Sequence, residues 1–132
     1  MIENLQVKFY EGENVSPDLF STDAEEWAKK IYNEGGGKKN KTSQIRKFYD
    51  EILNFYISIK SGEEYKSLLP YIKMLNAKVT YAEGRNLVTA SFTSLIKQCI
   101  SQLKPDKPET IEIMKSFFEA FMGYYKFYES KS

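Results

Sequence analysis

The side chains able to do chemistry in this sequence are carboxylates, lysines, arginines and tyrosines, because histidine is missing and cysteine occurs once, as Cys99. That excludes an intrachain disulfide, a Cys/His zinc site and a Cys/His dyad. The best carboxylate candidates are the adjacent pairs Asp50-Glu51 and Glu63-Glu64. Neighbours on a helix point about 100° apart, so neither pair forms a facing acid–base dyad unaided. Asp50 follows Arg46 by four residues and Glu51 follows Lys47 by four, a spacing that suits ion pairs along one helix. Glu63 and Glu64 fall in a first helical turn, where negative charge is favoured. Cys99 sits among Ile96, Ile100 and Leu103 and reads as a buried structural thiol. Gly35-Gly36-Gly37-Lys38 lacks the strand, the spacing and the Lys-Ser/Thr ending of a phosphate loop. The chain is therefore expected to hold no catalytic centre, no metal and no cofactor.

Basic residues are the more informative group. Residues 1–28 carry Lys8 against seven acids, a net charge of −6, whereas residues 29–47 carry seven cations against Glu34 alone, a net +6. The overall charge of +1 conceals this split. Lys38-Lys39-Asn40-Lys41 leads into Thr42-Ser43, which can open a helix. Positive side chains then meet free backbone amides, and both suit phosphate. Arg46 and Lys47 extend the patch by one turn, and Tyr and Asn side chains nearby offer hydrogen bonds or stacking. Lysines on a glycine-rich loop also fit plain solvated surface, and no aromatic-strand signature of RNA recognition is present.

The elements that must carry these residues are helical. Thr22-Asp23-Ala24-Glu25 has the form of a capping box, predicting a helix to about Glu34 that the three glycines stop. A second helix, capped by Thr42 or Ser43, is predicted to about Lys60, with an apolar stripe of Ile45, Phe48, Tyr49, Ile52, Phe55 or Tyr56, and Ile59. A third opens at Ser61-Gly62-Glu63-Glu64 and buries Tyr65, Leu68, Leu69, Ile72, Leu75 and Val79, with a kink or restart expected at Pro70 and an end near Gly84. A fourth is predicted over residues 86–103 and a fifth from Pro108 to about Tyr128, the latter rich in aromatics that close the core. Leu5, Val7 and Phe9 alternate but have no second strand to pair with, and read as an arm. The expected fold is all-α: a bundle of about five helices over residues 21–132 behind an N-terminal arm, residues 1–20.

At 132 residues the chain fits one domain, and its 42% hydrophobic and 28% charged residues match a globular protein. No apolar run approaches the roughly 18 residues needed to cross a bilayer, and Met1-Ile2-Glu3-Asn4 carries acid where a signal peptide carries base. A cytoplasmic location, away from membranes, is expected.

Two segments resemble a known family. Asn40-Lys41-Thr42-Ser43-Gln44-Ile45-Arg46-Lys47-Phe48-Tyr49 resembles the opening of the central helix in the small subunit of type III-A CRISPR complexes, the Csm family. Lys78-Val79-Thr80-Tyr81-Ala82-Glu83-Gly84-Arg85 resembles that family's segment of a lysine followed by Tyr-Ala-x-x-Arg, at a compatible distance. The helical pattern agrees over residues 22–128, and residues 1–20 are not covered. The resemblance implies a non-catalytic subunit, present in more than one copy, that touches neighbouring copies and other Csm subunits and presents basic residues to target RNA paired with guide RNA. Nuclease and nucleotide-cyclising activities would reside in other subunits.

Carried across by motif, Lys41, Gln44, Arg46 and Lys47 belong to a first RNA-facing segment, and Lys78 and Arg85 to a second. Lys38 and Lys39 join them from the loop, while Tyr81 reads as packing. Arg46 has a competing role as partner of Asp50, and Arg85 as a cap on the third helix. With lysine dominant and only two arginines, bidentate phosphate clamps are few, so weak RNA binding by the isolated chain is expected. Guide pairing supplies sequence choice, so backbone contact suffices. The rival readings are a purely structural helical scaffold, whose −6 and +6 regions dock head to tail, and a small enzyme with a closed pocket.

Overall fold

The computed structural model describes residues 5–131. Met1–Asn4, on which the reading against a signal peptide rests, lies outside the described residues. The fold is all-α, with six α-helical segments among those residues: α1 (Ala24–Gly35), α2 (Thr42–Lys60), α3 (Tyr65–Lys73), α4 (Leu75–Gly84), α5 (Ala90–Ile100) and α6 (Glu109–Ser130). α6 is the axis. Its 22 residues span about 33 Å, and α1 and α2 both pack along it while α4 packs on α5. Phe117, Phe118, Phe121 and Tyr125 run down its buried face in mutual ring contact. Edge-to-face contact between Phe48 of α2 and Phe92 of α5 joins the two halves of the core.

Helix starts differ from the sequence expectation in instructive ways. Leu19, fully buried, anchors a π-helical turn over Leu19–Asp23 that runs straight into α1, with the Asp23 amide donating to the Asp18 carbonyl at 3.0 Å. Thr22 therefore lies inside helical chain and the predicted capping box does not form. α2 keeps its predicted bounds, but its cap is Lys41 and not Thr42 or Ser43. α3 begins at Tyr65, after Glu64, whose carboxylate accepts from the Ser67 hydroxyl at 2.9 Å. Pro70 is accommodated within α3, and the restart falls at Met74, whose amide is shared between the carbonyls of Pro70 and Tyr71. The fourth predicted helix shortens to α5 because Asn86, in left-handed conformation at φ 63°, turns the chain.

Residues 5–16 use a different device. Val7 and Phe9 are buried, yet among the described residues the strand pairing nearby is just the small hairpin of β1 (Tyr10–Glu11) with β2 (Asn14–Val15). The backbone before it is satisfied by side chains instead. Gln98 of α5 and Gln102, in the turn just past its end, accept the Val7 amide at 2.9 Å and the Phe9 amide at 2.7 Å, and Gln102 donates back to the Val7 carbonyl at 2.7 Å. Two glutamines thus replace a strand edge, so that both apolar side chains enter the core without orphaned backbone groups.

The loop between α1 and α2 is held by Asn40, only 2% exposed and left-handed at φ 57°. Its side-chain amide donates to the Ile31 carbonyl and to the Thr89 hydroxyl, both at 2.9 Å, and its side-chain oxygen accepts the Thr89 amide at 2.9 Å. Its own amide donates to the Leu87 carbonyl at 3.0 Å, and its carbonyl accepts the Tyr125 hydroxyl. One residue therefore ties α1, the α4–α5 turn and α6 to the entrance of α2. Gly35 passes so close that an added Cβ would lie 3.2 Å from the Asn40 Cβ.

Asn40→Ala removes three side-chain hydrogen bonds and strains a left-handed residue, so it should destabilise the protein by about 3 kcal/mol or more in urea unfolding. Asn40→Gly, which relieves the backbone, should cost less. An alanine variant within about 1 kcal/mol of wild type would contradict this account. A second tie is pH-dependent. Partial burial works to raise the Glu34 carboxyl, but hydrogen bonds from Ser91 and Thr89 and the charge of Lys30 outweigh it and hold the group below its ordinary value of 4.5. A depressed folded pKa contributes stability above the unfolded value, lost as pH falls through the folded one. Ser91→Ala should therefore be less stable than wild type near neutral pH, by less than about 1 kcal/mol because Glu34 is partly solvated. That gap should close in strong acid; a gap that widens there would contradict the assignment.

Candidate functional site

Two ties set the geometry of the basic residues. At one end the Asn40 amide meets the Leu87 carbonyl at 3.0 Å, and at the other Lys78 Nζ meets Glu51 Oε1 at 2.8 Å. Asn40 lies just before α2 and Leu87 just after α4, so the two stretches meet at these two points in antiparallel order. The segments 38–47 and 78–85, far apart in sequence, are thereby brought toward one another.

Helical spacing then sorts the side chains. Gln44 and Lys47 share the flank of α2 that carries Glu51, and so line the α4 side. Arg46 does not. It lies on the other flank with Asp50, 3.8 Å away, on the side of Tyr49. On α4, Lys78 and Arg85 fall on one ridge, two turns apart, with Tyr81 between them. Lys38, Lys39, Lys41, Arg46, Lys47, Lys78 and Arg85 are all exposed and Gln44 is partly so.

Ion pairing divides them further. Lys78 is engaged by Glu51, in place of the Lys47–Glu51 pair expected from spacing, and Arg46 is engaged loosely by Asp50. Lys38, Lys39, Lys41 and Lys47 have no carboxylate within ion-pair distance among the described residues. Arg85 donates to the Tyr81 hydroxyl at 3.2 Å. Tyr81 itself is 65% exposed, which corrects its reading as a packing residue.

Where α2 begins, a recess of about 420 Å³ opens between the loop and the end of α6, lined by Lys39, Lys41, Thr42, Ser43 and, on the α6 side, Glu129. Lys41 caps α2 through its backbone alone, the Gln44 and Ile45 amides both reaching its carbonyl, and no side chain caps the first turn. This end of α2 combines the positive end of a helix dipole with lysine charge, the pairing suited to a phosphate.

The other candidates carry structural roles. Cys99 is fully buried and its thiol is pushed up by burial, away from the reactive thiolate form. Glu63 and Asp50 are exposed, and Glu51 serves Lys78. Among the described residues no three acids or cysteines gather as metal ligands, and no helix is long and apolar enough to cross a membrane. Sequence reasoning missed Asn40 as an organiser; its only signal was an asparagine after a glycine run, a type that tolerates left-handed backbone.

No curated protein and no solved structure matches the chain. A family model described as Csm2 Type III-A does match, over residues 14–131, a span that takes in every helix and both basic segments. The chain thus belongs to the Csm2 type III-A family, the small subunit of the type III-A CRISPR effector complex.

Proposed function

We propose that this small subunit is non-catalytic and holds the RNA of its complex by sequence-independent contact with the backbone of target paired to guide, while packing against neighbouring subunits and further copies of itself in the cytoplasm. The carrying observation is the antiparallel strip, in which lysines free of carboxylate partners lie on the α2 side and Arg85 on the α4 side. Lys39 and Lys41 would meet phosphate at the recess, Lys38 from the loop beside it, and Gln44, Lys47, Lys78 and Arg85 along the strip. Arg46, turned to the other flank and held by Asp50, would contribute least.

Charge chemistry sets the character of this binding. Backbone contact is read through counterion release and carries no sequence information. Lysines are point charges and Arg85 is the one guanidinium on the strip, so affinity per subunit should be modest and strongly salt-dependent. The scaffold reading draws support from the two ion pairs, which neutralise Arg46 and Lys78 internally. The readings differ at Glu51. Because its carboxylate occupies Lys78, Glu51→Gln should release that cation and strengthen RNA binding.

Titrations of the full chain with RNA across a range of salt separate the readings. Lys47→Ala and Arg85→Ala should each lower the salt slope by about 0.7–0.9 while leaving the thermal melt in place. Glu51→Gln should steepen the slope by a similar amount. If both alanine variants keep the wild-type slope, or lose binding only because they unfold, the scaffold reading stands instead.

A further inference from the structure

One exposed ridge along α3 and α4 carries Tyr71, Met74, Lys78, Tyr81 and Arg85 at steps of three and four residues, and its Lys78 meets Glu51 of α2. Large apolar side chains and cations interleave along it. Tyr71, Met74 and Tyr81 are 61%, 51% and 65% exposed, and Tyr81 is the most exposed large apolar side chain among the described residues. A single such residue would need no explanation. Three on one ridge, two of them tyrosines and beside cations, form an arrangement suited to unpaired nucleic acid, with phosphates on the charges and bases on the tyrosine rings.

Tyr81 is the best placed of the three. Arg85 Nη1 donates to its hydroxyl at 3.2 Å, and the guanidinium carbon lies 5.8 Å from the ring centre. The guanidinium thus sits toward the hydroxyl end and steadies the ring, which lowers the ordering cost of stacking on it. Lys78 is one turn before Tyr81 and Arg85 one turn after, so a base on the ring would bring its flanking phosphates toward cations on either side.

We propose that Tyr81 is a stacking platform for an unpaired nucleobase, so that the RNA held on this strip offers an unstacked nucleotide there and not uninterrupted duplex alone. This rests on the backbone-contact reading above and adds a base contact to it. The full chain would be titrated at low salt with single-stranded oligouridylate and with an abasic ribose-phosphate oligomer of the same length. Tyr81→Leu, a change at an exposed position, should weaken oligouridylate binding about 5- to 100-fold. It should leave binding of the abasic oligomer and the salt slope unchanged, and Tyr81→Phe should retain most of the affinity. Equal loss on both ligands would make Tyr81 a support for Arg85 only, and no loss on either would remove it from the site; both outcomes overturn the proposal. In either case Lys47→Ala would still lower the salt slope if the backbone reading holds. A wild-type chain with no salt-dependent affinity for either ligand would remove both.

Discussion

The geometry of this protein depends on the burial of one polar residue. Asn40 is enclosed at the meeting point of α1, the α4–α5 turn and α6, and each of its hydrogen-bonding groups has a partner. Leaving a buried amide unsatisfied costs far more than a typical hydrogen bond contributes, so the knot is close to all-or-none. Its consequence is positional. The lysines on either side of Asn40 cannot drift with a glycine loop, because the backbone between them is tied to the chain that has just left α4. A segment that composition alone describes as flexible is therefore a fixed edge of the molecule.

Fixing that edge decides what the basic residues can do. Charges on independent loops would offer phosphate a diffuse attraction, whereas an antiparallel strip anchored at Asn40–Leu87 and Glu51–Lys78 offers a defined path. The strip is also restrained. Glu51 and Asp50 neutralise part of it, so that electrostatic binding to arbitrary polyanions is weakened while geometry is retained. Such restraint fits the proposed contact with RNA already positioned by base pairing.

Much of the fold was legible because apolar periodicity is strong. The bounds of α2 and the buried face of α5 and α6, including Cys99, follow directly from three- and four-residue spacing. What escaped was set by tertiary contacts. Burial of Leu19 pulls Thr22 into helix, and the α3–α4 restart is delayed past Pro70 to Met74, where the chain exchanges hydrogen-bond partners. The satisfaction of residues 5–9 by Gln98 and Gln102 joins positions more than ninety apart and leaves no local signal. In the site, the proximity of the two basic segments rested on a family resemblance, since no periodicity links residue 40 to residue 87. Spacing gave Arg46–Asp50 correctly but also suggested Lys47–Glu51, because it cannot know that α4 brings Lys78 to the same carboxylate.

In the proposed arrangement RNA lies on the antiparallel α2–α4 strip when the subunit is in its complex. Ultraviolet cross-linking of the assembled, RNA-loaded complex, followed by peptide mapping, tests it most directly. RNA adducts should concentrate in residues 38–47 and 78–85. Protein–protein cross-links in those segments, with RNA adducts only elsewhere on the chain, would contradict it.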